Sequence, residues 1–346
     1  MLDSRLHEKI NRIARLHTVN TKALMHNNVL GPLSIVTLFV LCIVFAHIAF
    51  ADDEDRLPKE LAWAQSDIDK NDFLSRTKTE CINPKAELDT LRGIKLGRLA
   101  FQSPRLLGGQ ASRMGLNCAS CHPASRSNSD FFIKQISSAP GNADVSHGFL
   151  SSKGSNGEFN PVLIPDLANR ASMKIKDRRS DEFRSRLTQL IEIEFDGRPP
   201  PAAVFEAMRY YLENTDTKYC AKPNASKVID LDFDWQDLLD GVAVAQEAIA
   251  VNDQDTLKFA IDASRARLEV IYRRYGAEPV AALDALLIEF SRSLEKVTQL
   301  EKPTAQAEQL AMLIVDSEKL YAMLEANQDL SWYNPIIVHQ QLNASE

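Results

Sequence analysis

Cysteine and histidine are scarce in this chain, which makes each of them informative. The 346 residues contain five cysteines and seven histidines. Cys42 lies in an apolar stretch near the start, and Cys81 and Cys220 stand far from each other. Only one pair of cysteines has the C-x-x-C spacing, and the sequence has no H-x-x-x-H. A structural zinc site, which needs two such pairs of ligands, is therefore disfavoured.

The chain also lacks an excess of positive charge. Five of the 40 Lys and Arg residues and two of the 47 Asp and Glu residues lie in the first 51 positions, so 35 basic and 45 acidic residues follow. Proteins that bind nucleic acid present a basic face, so we expect no nucleic acid partner. An acidic surface suits a basic redox partner protein, and a merely solvated exterior is the alternative explanation.

The close pair of cysteines is followed directly by a histidine, in the run Cys118-Ala119-Ser120-Cys121-His122. This C-x-x-C-H pattern is the attachment site of a c-type haem. Cysteines at this spacing reach the vinyl edge of one porphyrin as thioethers, and the histidine supplies the proximal nitrogen to the iron. The alternatives are a redox dithiol, whose thioredoxin-like context the flanks do not show, and half of a zinc site. The sequence predicts one covalently bound haem c.

The first 51 residues have the order of a secretory signal. Residues 1–28 are polar and basic, 29–50 carry no acid, Lys or Arg, and Ala51 closes an A-x-A-like cleavage site. An uncleaved anchor is the alternative, since about 20 apolar residues span a bilayer. The long polar start favours the anchor unless translation begins at Met25. We predict a periplasmic protein, soluble after cleavage near Ala51 or anchored to the inner membrane, with membrane contact only in the second case.

The predicted export narrows the roles open to the remaining cysteines and histidines. Cys81 and Cys220 are left over in an oxidising compartment, where they are candidates for a disulfide, with two free thiols as the alternative. Beyond the apolar segment the only histidines are His122, His147 and His339. His147 and His339 are therefore the only remaining histidines for the sixth position of the iron.

Apolar spacing predicts a mainly α-helical fold in two parts. Residues 52–225 are predicted to form the c-type haem domain, with helices around 58–75, 85–101, 181–193 and 200–212 and a long Ser/Asn/Gly-rich connection to Phe159. Residues 230–346 are predicted to form a bundle of about four helices of unknown role, since their leucines step by three and four. Within it, Thr304 is a candidate helix cap, and Met312 and Met323 are expected to fill the core.

Several short motifs surround the haem motif. K-L-G-R-L-A-F at 95–101 and P-R-L at 104–106 precede it, and Pro123 follows it directly. Downstream come His147-Gly148-Phe149, N-P-V-L-I-P-D-L-A-N at 160–169 and Phe195-Asp196-Gly197-Arg198. In this order the motifs resemble the N-terminal haem domain of bacterial di-haem cytochrome c peroxidases and MauG-like proteins, over roughly residues 85–215. The resemblance implies a cytochrome c-like haem domain, a distal histidine at His147 and a segment at 160–169 that closes over the haem.

The chain departs from that family in ways that bear on activity. The family carries two haems, whereas this chain has one C-x-x-C-H. The family's glutamine and glutamate that assist peroxide cleavage have no clear counterpart after Arg198, where a Pro-Pro-Pro run and Glu206 stand instead. We therefore predict an exported mono-haem electron carrier that works with a redox partner protein. The alternatives are a peroxidase-type oxidoreductase that takes hydrogen peroxide and an external electron donor, and a haem-based sensor.

The sixth iron position has several candidate occupants. Met114 is very near the motif, His339 lies beyond the bundle, and Met208 falls on an apolar helix face. Met173 follows a proline-containing stretch, as a distal methionine often does, but has lysine neighbours. His147 stands in a flexible segment before Gly148 and an aromatic residue, and histidine is a usual ligand of such a site. We predict His122 as the proximal ligand and His147 as the distal ligand, able to leave.

Overall fold

The computed structural model describes residues 56–64, 68–169, 177–222 and 225–344. Of the described residues, 60% are helical and 5% are in strands, which confirms the prediction of a mainly α-helical protein. The predicted signal segment at 1–51, Cys42 and Met173 lie outside the described residues. Within the described ranges, no helix combines the length and the apolar character needed to cross a bilayer.

The chain before the haem motif folds into short helices. A 3₁₀ helix at Lys59–Trp63 and helix α1 at Lys70–Ser75 replace the single helix predicted for 58–75. Helix α1 begins where Asp69 accepts hydrogen bonds from the backbone N–H groups of Asn71 and Asp72. An aspartate at this position satisfies donors that the first turn leaves free, so it starts a new helix there.

Helix α2 confirms the amphipathic helix predicted for 85–101, with observed bounds Leu88–Gln102. Between α2 and the haem motif lie a 3₁₀ helix at Pro104–Leu106 and the short helix α3 at Gly109–Arg113. Helix α4, Cys118–Cys121, carries the cysteines of the haem motif and is followed by a 3₁₀ turn at Pro123–Ser125.

A long irregular connection follows, as predicted, and two helices then end this half of the chain. Helix α5 spans Asp181–Thr188 and continues as a π-helix to Glu194, and α6 spans Ala202–Asn214. Pro199, Pro200 and Pro201 separate them, since proline cannot continue a helix. A last 3₁₀ turn lies at Thr217–Tyr219.

Helices α2 and α6 cross at Gly97. A Cβ atom there would stand 2.0 Å from the Ala207 carbonyl oxygen and 2.7 Å from the Tyr211 Cβ. Only glycine permits such an approach of two backbones. The crossing places Phe101 against Tyr211, with ring centroids 5.3 Å apart, in the hydrophobic core beneath the haem motif.

The second half consists of longer helices, as the leucine spacing predicts. The long helices are α7 at Leu231–Ala250, α8 at Gln254–Arg274, α9 at Ala281–Gln299 and α10 at Pro303–Glu325. They pack in sequence order, and α10 returns to pack on α7. Their predicted seam is buried, with Leu283, Leu294 and Leu310 at most 1% exposed.

Three details of this half differ from the sequence predictions. The residue before α10 is Lys302 and Pro303 opens the helix, so Thr304 is not its cap. Met312 and Met323 are 56% and 37% exposed and do not fill the core, because they lie on the outer face of α10. A further helix, α11 at Pro335–Ala344, follows a 3₁₀ turn at Gln328–Leu330 and packs on α1.

Short antiparallel ladders tie distant parts of the chain together. Strand β1, Arg76–Lys78, pairs with β4, Ser226–Val228, and β2, Asn142–Ala143, pairs with β3, Val162–Leu163. Next to the first ladder, Cys81 and Cys220 form a disulfide with Cα atoms 4.7 Å apart. We call the described residues between 56 and 230, which include the C-x-x-C-H motif, the haem half. The ladder and the disulfide bring the start and the end of this half together.

The compact unit Arg56–Glu346 contains two large hydrophobic clusters and a small third one formed by Leu74, Trp332 and Val338. The two large clusters lie in different parts of the chain. One surrounds the haem motif, and the other fills the helical bundle. Helix α8 contributes to both, since Phe259 and Ala263 join the first and Leu257 and Ile261 join the second. The boundary predicted between residues 225 and 230 stays a prediction.

Candidate haem-attachment site

The one-turn helix α4 holds both cysteines of the motif. Asn117 begins it, accepting a hydrogen bond from the Ser120 backbone N–H at 3.1 Å, while the Ser120 hydroxyl lies 3.2 Å from the Asn117 N–H. This reciprocal pair satisfies donors that a helix start leaves free. It fixes Cys118 and Cys121 one turn apart, the placement that two thioethers to one porphyrin require.

The two thiols are half-buried and lie beside apolar side chains. Burial raises the pKa of Cys118 to about 12. Burial also raises the pKa of Cys121, and the neighbouring Cys118 adds to this shift. A reactive dithiol has a lowered pKa, because its thiolate must form at neutral pH. The site therefore does not resemble a redox dithiol.

His122 follows α4 and is oriented by a backbone carbonyl. Its Nδ1 lies 3.0 Å from the Pro165 oxygen, which accepts a hydrogen bond from it. A carbonyl oxygen is only an acceptor, so Nδ1 carries the proton and Nε2 keeps its lone pair. Histidines that ligate metals have this arrangement, with the second ring nitrogen held by a carbonyl or a carboxylate.

The protonation state of His122 agrees with that role. Burial lowers its pKa to about 4, while the Pro165 carbonyl opposes the shift. At neutral pH the imidazole is therefore neutral, the form that binds a metal ion.

The backbone turns sharply after His122. Ala124 and Ser125 have φ values of 53° and 61°, in the left-handed region that few non-glycine residues adopt. The Ser125 carbonyl then accepts the Ala168 N–H at 2.9 Å, and Arg126 pairs with Asp166 at 2.6 Å. These bonds hold the segment with Pro165 against the haem motif. The segment at 160–169 therefore lies next to His122, and its role as a haem cover stays a prediction.

The long connection after the motif supplies apolar side chains of two kinds. Phe131 and Ile133 are buried, at 1% and 3% exposure. By contrast, Phe159, Val162 and Leu163 are 53%, 66% and 79% exposed. Such side chains on the segment that reaches His122 leave an apolar surface that a porphyrin would cover.

His147 lies on the same connection and is hydrogen-bonded differently from His122. Its Nδ1 accepts the Phe149 backbone N–H at 3.2 Å, and its ring meets Phe159 edge-on at 6.1 Å. Because Nδ1 uses its lone pair as acceptor, the proton of the neutral ring lies on Nε2. Ligation of iron through Nε2 requires that this hydrogen bond be given up.

Asp144, which the sequence did not single out, joins the His147 segment to the Pro165 segment. Its side chain is buried and accepts the Ser146 N–H at 3.1 Å and the Asn160 N–H at 3.0 Å. The β2–β3 ladder lies beside it. An aspartate two positions before a serine is a common turn signal. The other partner of Asp144, Asn160, lies on a different segment, so sequence alone does not reveal this link.

Glycines allow three segments to converge near the site. A Cβ atom on Gly108 would stand 2.0 Å from the Asp196 carbonyl oxygen, and one on Gly154 would stand 2.9 Å from the Glu194 Cα. Phe195 on this segment packs against the same cluster as Cys118 and Cys121. Phe195-Asp196-Gly197-Arg198, noted from the resemblance, therefore lies next to the haem-attachment core.

The other candidates for the sixth ligand have different surroundings. Met208 is fully buried on α6 as a core residue, and Met114 packs partly buried against the same core. His339 is exposed on α11, with Nε2 3.0 Å from the Asn343 amide nitrogen. Met173 lies outside the described residues.

The residues present fit a covalent haem better than a zinc ion. In the part of the chain that the structure describes, no three His, Cys, Asp or Glu side chains converge as a metal site. A zinc ion would need further protein ligands beside the two cysteines. A covalent haem would need from this site two thiols for its attachment and one neutral imidazole nitrogen for its iron, which Cys118, Cys121 and His122 provide.

Comparisons of the chain with models of protein families, with characterised proteins and with solved structures gave no match. The interpretation of the site therefore depends on its own residues and their geometry.

Proposed function

We propose that the protein is an exported mono-haem c-type cytochrome that transfers electrons to or from a redox partner protein. The observation that carries the proposal is the hydrogen bond between His122 Nδ1 and the Pro165 oxygen, directly after a C-x-x-C helix. It leaves Nε2 as a ligand at the position that the motif assigns to the proximal histidine.

Each residue of the site has a defined task in this proposal. Cys118 and Cys121 anchor the porphyrin through thioethers, and His122 binds the iron through Nε2. The Pro165 carbonyl fixes the ring of His122 and makes it a stronger donor. The bound haem supplies an iron that gains or loses one electron, and the apolar shell around the thiols tunes its potential by excluding water.

The family resemblance and the periplasmic location belong to the same proposal. A cytochrome c-like domain related to di-haem cytochrome c peroxidases accounts for the order of motifs in residues 85–215. Haem attachment outside the cytoplasm agrees with the secretory pattern at 1–51, whether the chain is cleaved near Ala51 or stays anchored. The disulfide between Cys81 and Cys220 is compatible with an oxidising compartment.

Expression together with haem-maturation machinery tests the proposal. We expect the purified protein to keep one haem after denaturation, and the Cys118→Ala/Cys121→Ala variant to lose it. A polypeptide of unchanged mass in the wild type would disprove haem attachment.

The second candidate function is a peroxidase that uses an external electron donor. The hydrogen bonding of His147 supports this candidate. In the tautomer with its proton on Nε2, the ring does not bind iron and can instead donate a hydrogen bond to peroxide. The single motif provides no second haem to store an electron, so we expect slow peroxide turnover by the isolated protein. Rates like those of a di-haem peroxidase would overturn the electron-carrier proposal.

The variant His147→Ala tests the distal position. If His147 is the sixth ligand, the low-spin spectrum shifts toward high spin and the reduced iron binds carbon monoxide. The matched control is His339→Ala, whose exposed side chain on α11 predicts no spectral change. An unchanged low-spin spectrum in His147→Ala would exclude this residue and favour Met173.

A further inference from the structure

A cavity of about 310 Å³ lies between the haem half and the bundle. Its wall includes the 3₁₀ helix at Lys59–Trp63, the stretch from the end of α2 to Asn117, and one face of α8. This volume is within the range of small-molecule sites. Neither cysteine of the haem motif lines it, although Asn117 at its edge begins α4, so it is separate from the proposed haem site.

The charge of the cavity wall is opposite to that of the chain. Its cationic side chains are Lys59, Arg105, Arg113, Arg267 and Arg273, and its acids are Glu60 and Glu269. The chain as a whole has a formal net charge of −7. A concave site lined by one sign of charge concentrates ligands of the other sign.

The pairing of these groups shows which cations remain for a ligand. Arg267 forms salt bridges with Asp234 and Asp237 at 2.8 and 3.1 Å, and Lys59 forms one with Glu269 at 2.6 Å. Glu60 pairs with Arg274, which does not line the cavity, at 3.3 Å. Both acids of the wall, Glu60 and Glu269, therefore already pair with a cation of the protein.

Arg105 and Arg113 differ from the other cations. Arg113 donates hydrogen bonds to the neutral amide oxygen of Gln110, at 2.8 and 3.1 Å. Within the described residues, neither Arg105 nor Arg113 has a carboxylate within salt-bridge distance. Both are exposed at the cavity, where their guanidinium groups can take a bidentate oxyanion.

The floor of the cavity is apolar. Trp63 and Leu99 line it and are 5% and 6% exposed, and Ala263 and Ala266 of α8 complete it. An apolar floor below a cationic rim suits a molecule with a hydrocarbon body and an anionic head. A fully hydrated inorganic anion would gain nothing from the indole of Trp63.

We propose that this cavity binds a small organic carboxylate, with its apolar body against Trp63 and its carboxylates on Arg105 and Arg113. The site is distinct from the haem-attachment residues and does not depend on the proposed function. Because one wall belongs to α8, an occupied cavity links the bundle to the haem half.

Calorimetric titration of the full exported protein tests the site, with phthalate as the anionic probe and phthalamide as its neutral analogue. We expect saturable binding of phthalate that weakens with salt, and no binding of phthalamide. In Arg105→Gln/Arg113→Gln the dissociation constant should rise by about tenfold or more, since each lost charged contact contributes strongly. Arg105→Lys/Arg113→Lys, which keeps the charges but loses the bidentate contacts, should bind phthalate more weakly than the wild type and more tightly than the Gln variant.

The matched control is Arg292→Gln/Lys319→Gln, which removes two cations that are 72% and 74% exposed on the bundle. This control should bind phthalate like the wild type. Circular dichroism checks that all variants fold. Equal binding of phthalate and phthalamide, equal weakening in the control, or no detectable phthalate binding would overturn the proposal.

Discussion

The helical bundle and the haem half differ in how their backbone polar groups are satisfied. In the bundle, α7 to α10 are long helices joined by short connections, so most backbone groups bond within their own helix. In the haem half the helices are short, and side-chain caps and two small ladders satisfy many of these groups, while a disulfide adds a covalent link. The bundle is thus specified by a repeated pattern and the haem half by individual contacts.

This difference predicts where single substitutions act. In the bundle, a truncated side chain is surrounded by many equivalent apolar contacts. The loss of unfolding free energy then comes mainly from the cavity that the truncation leaves. In the haem half, one bond often has no substitute, and the cost includes the position of a ligand. The experiments below compare the two halves, beginning with the largest expected effect.

Leu294→Ala should cause the largest loss of stability. Leu294 is fully buried in the bundle seam, and truncation of a buried leucine costs roughly 2–5 kcal/mol of unfolding free energy. Urea unfolding measures the loss. The control Leu286→Ala, at a position that is 40% exposed on the same helix, should change stability little. Equal losses would contradict the assigned seam.

Removal of the disulfide should destabilise the haem half by a somewhat smaller amount. Cys81→Ser/Cys220→Ser frees a crosslink with a sequence separation of 139, and such crosslinks typically contribute roughly 2–4 kcal/mol. We expect faster amide exchange within 81–220 and little change in α9 and α10. Reduction should destabilise the wild type and leave this variant unaffected. Two alkylatable thiols at these positions in the native oxidised protein would contradict the bond.

A pair of cap variants separates stability from function. Asn117→Ala and Asp230→Ala each remove a side-chain cap, at a cost of about 1 kcal/mol. The Asp230 variant should only fray α7, a helix of 20 residues. The Asn117 variant alters α4, which has four residues, so its yield of attached haem should fall as well. Equal haem yields would show that the cap does not position the cysteines.

The smallest effect concerns pH in a haem-free background. The pKa of His122 is lowered to about 4 in the folded chain from 6.5, so the unfolded chain takes up a proton first as the pH falls. The stabilising contribution is present above pH 6.5 and is lost between pH 6.5 and about 4. The ring is partly exposed, which reduces the effect. Urea midpoints across this window should vary less in Cys118→Ala/Cys121→Ala/His122→Gln than in Cys118→Ala/Cys121→Ala.

The same contrast decides what the sequence can predict. Helix α2, the α5 region, α6 and the seam of the bundle follow from apolar spacing, because packing rewards a repeat of three and four. The early helix was split, and α11 was not predicted, because short segments depend on partners elsewhere in the fold. Met312 and Met323 were misplaced because sequence spacing did not resolve which face of α10 turns outward.

The candidate site divides in a similar way. Cys118, Cys121 and His122 follow from one local motif. The Pro165 carbonyl, 43 positions away, and Asp144 could not be predicted, since a backbone acceptor has no residue signature. The cationic cavity was also missed, because Lys59, Arg105 and Arg273 are distant in sequence and meet only in the folded chain.

The bond between Cys81 and Cys220 also affects how the protein is made. In a chain that is exported from its N-terminus, as proposed, Cys81 meets Cys118 and Cys121 before Cys220 is present. An oxidant acting on neighbouring cysteines in turn would join the wrong ones. The native bond skips two cysteines, so correct pairing needs Cys118 and Cys121 to stay out of disulfide exchange. If the proposed haem is attached first, its thioethers would remove both thiols from that competition. Late attachment would instead leave four thiols to pair and make correct crosslinking depend on an isomerase.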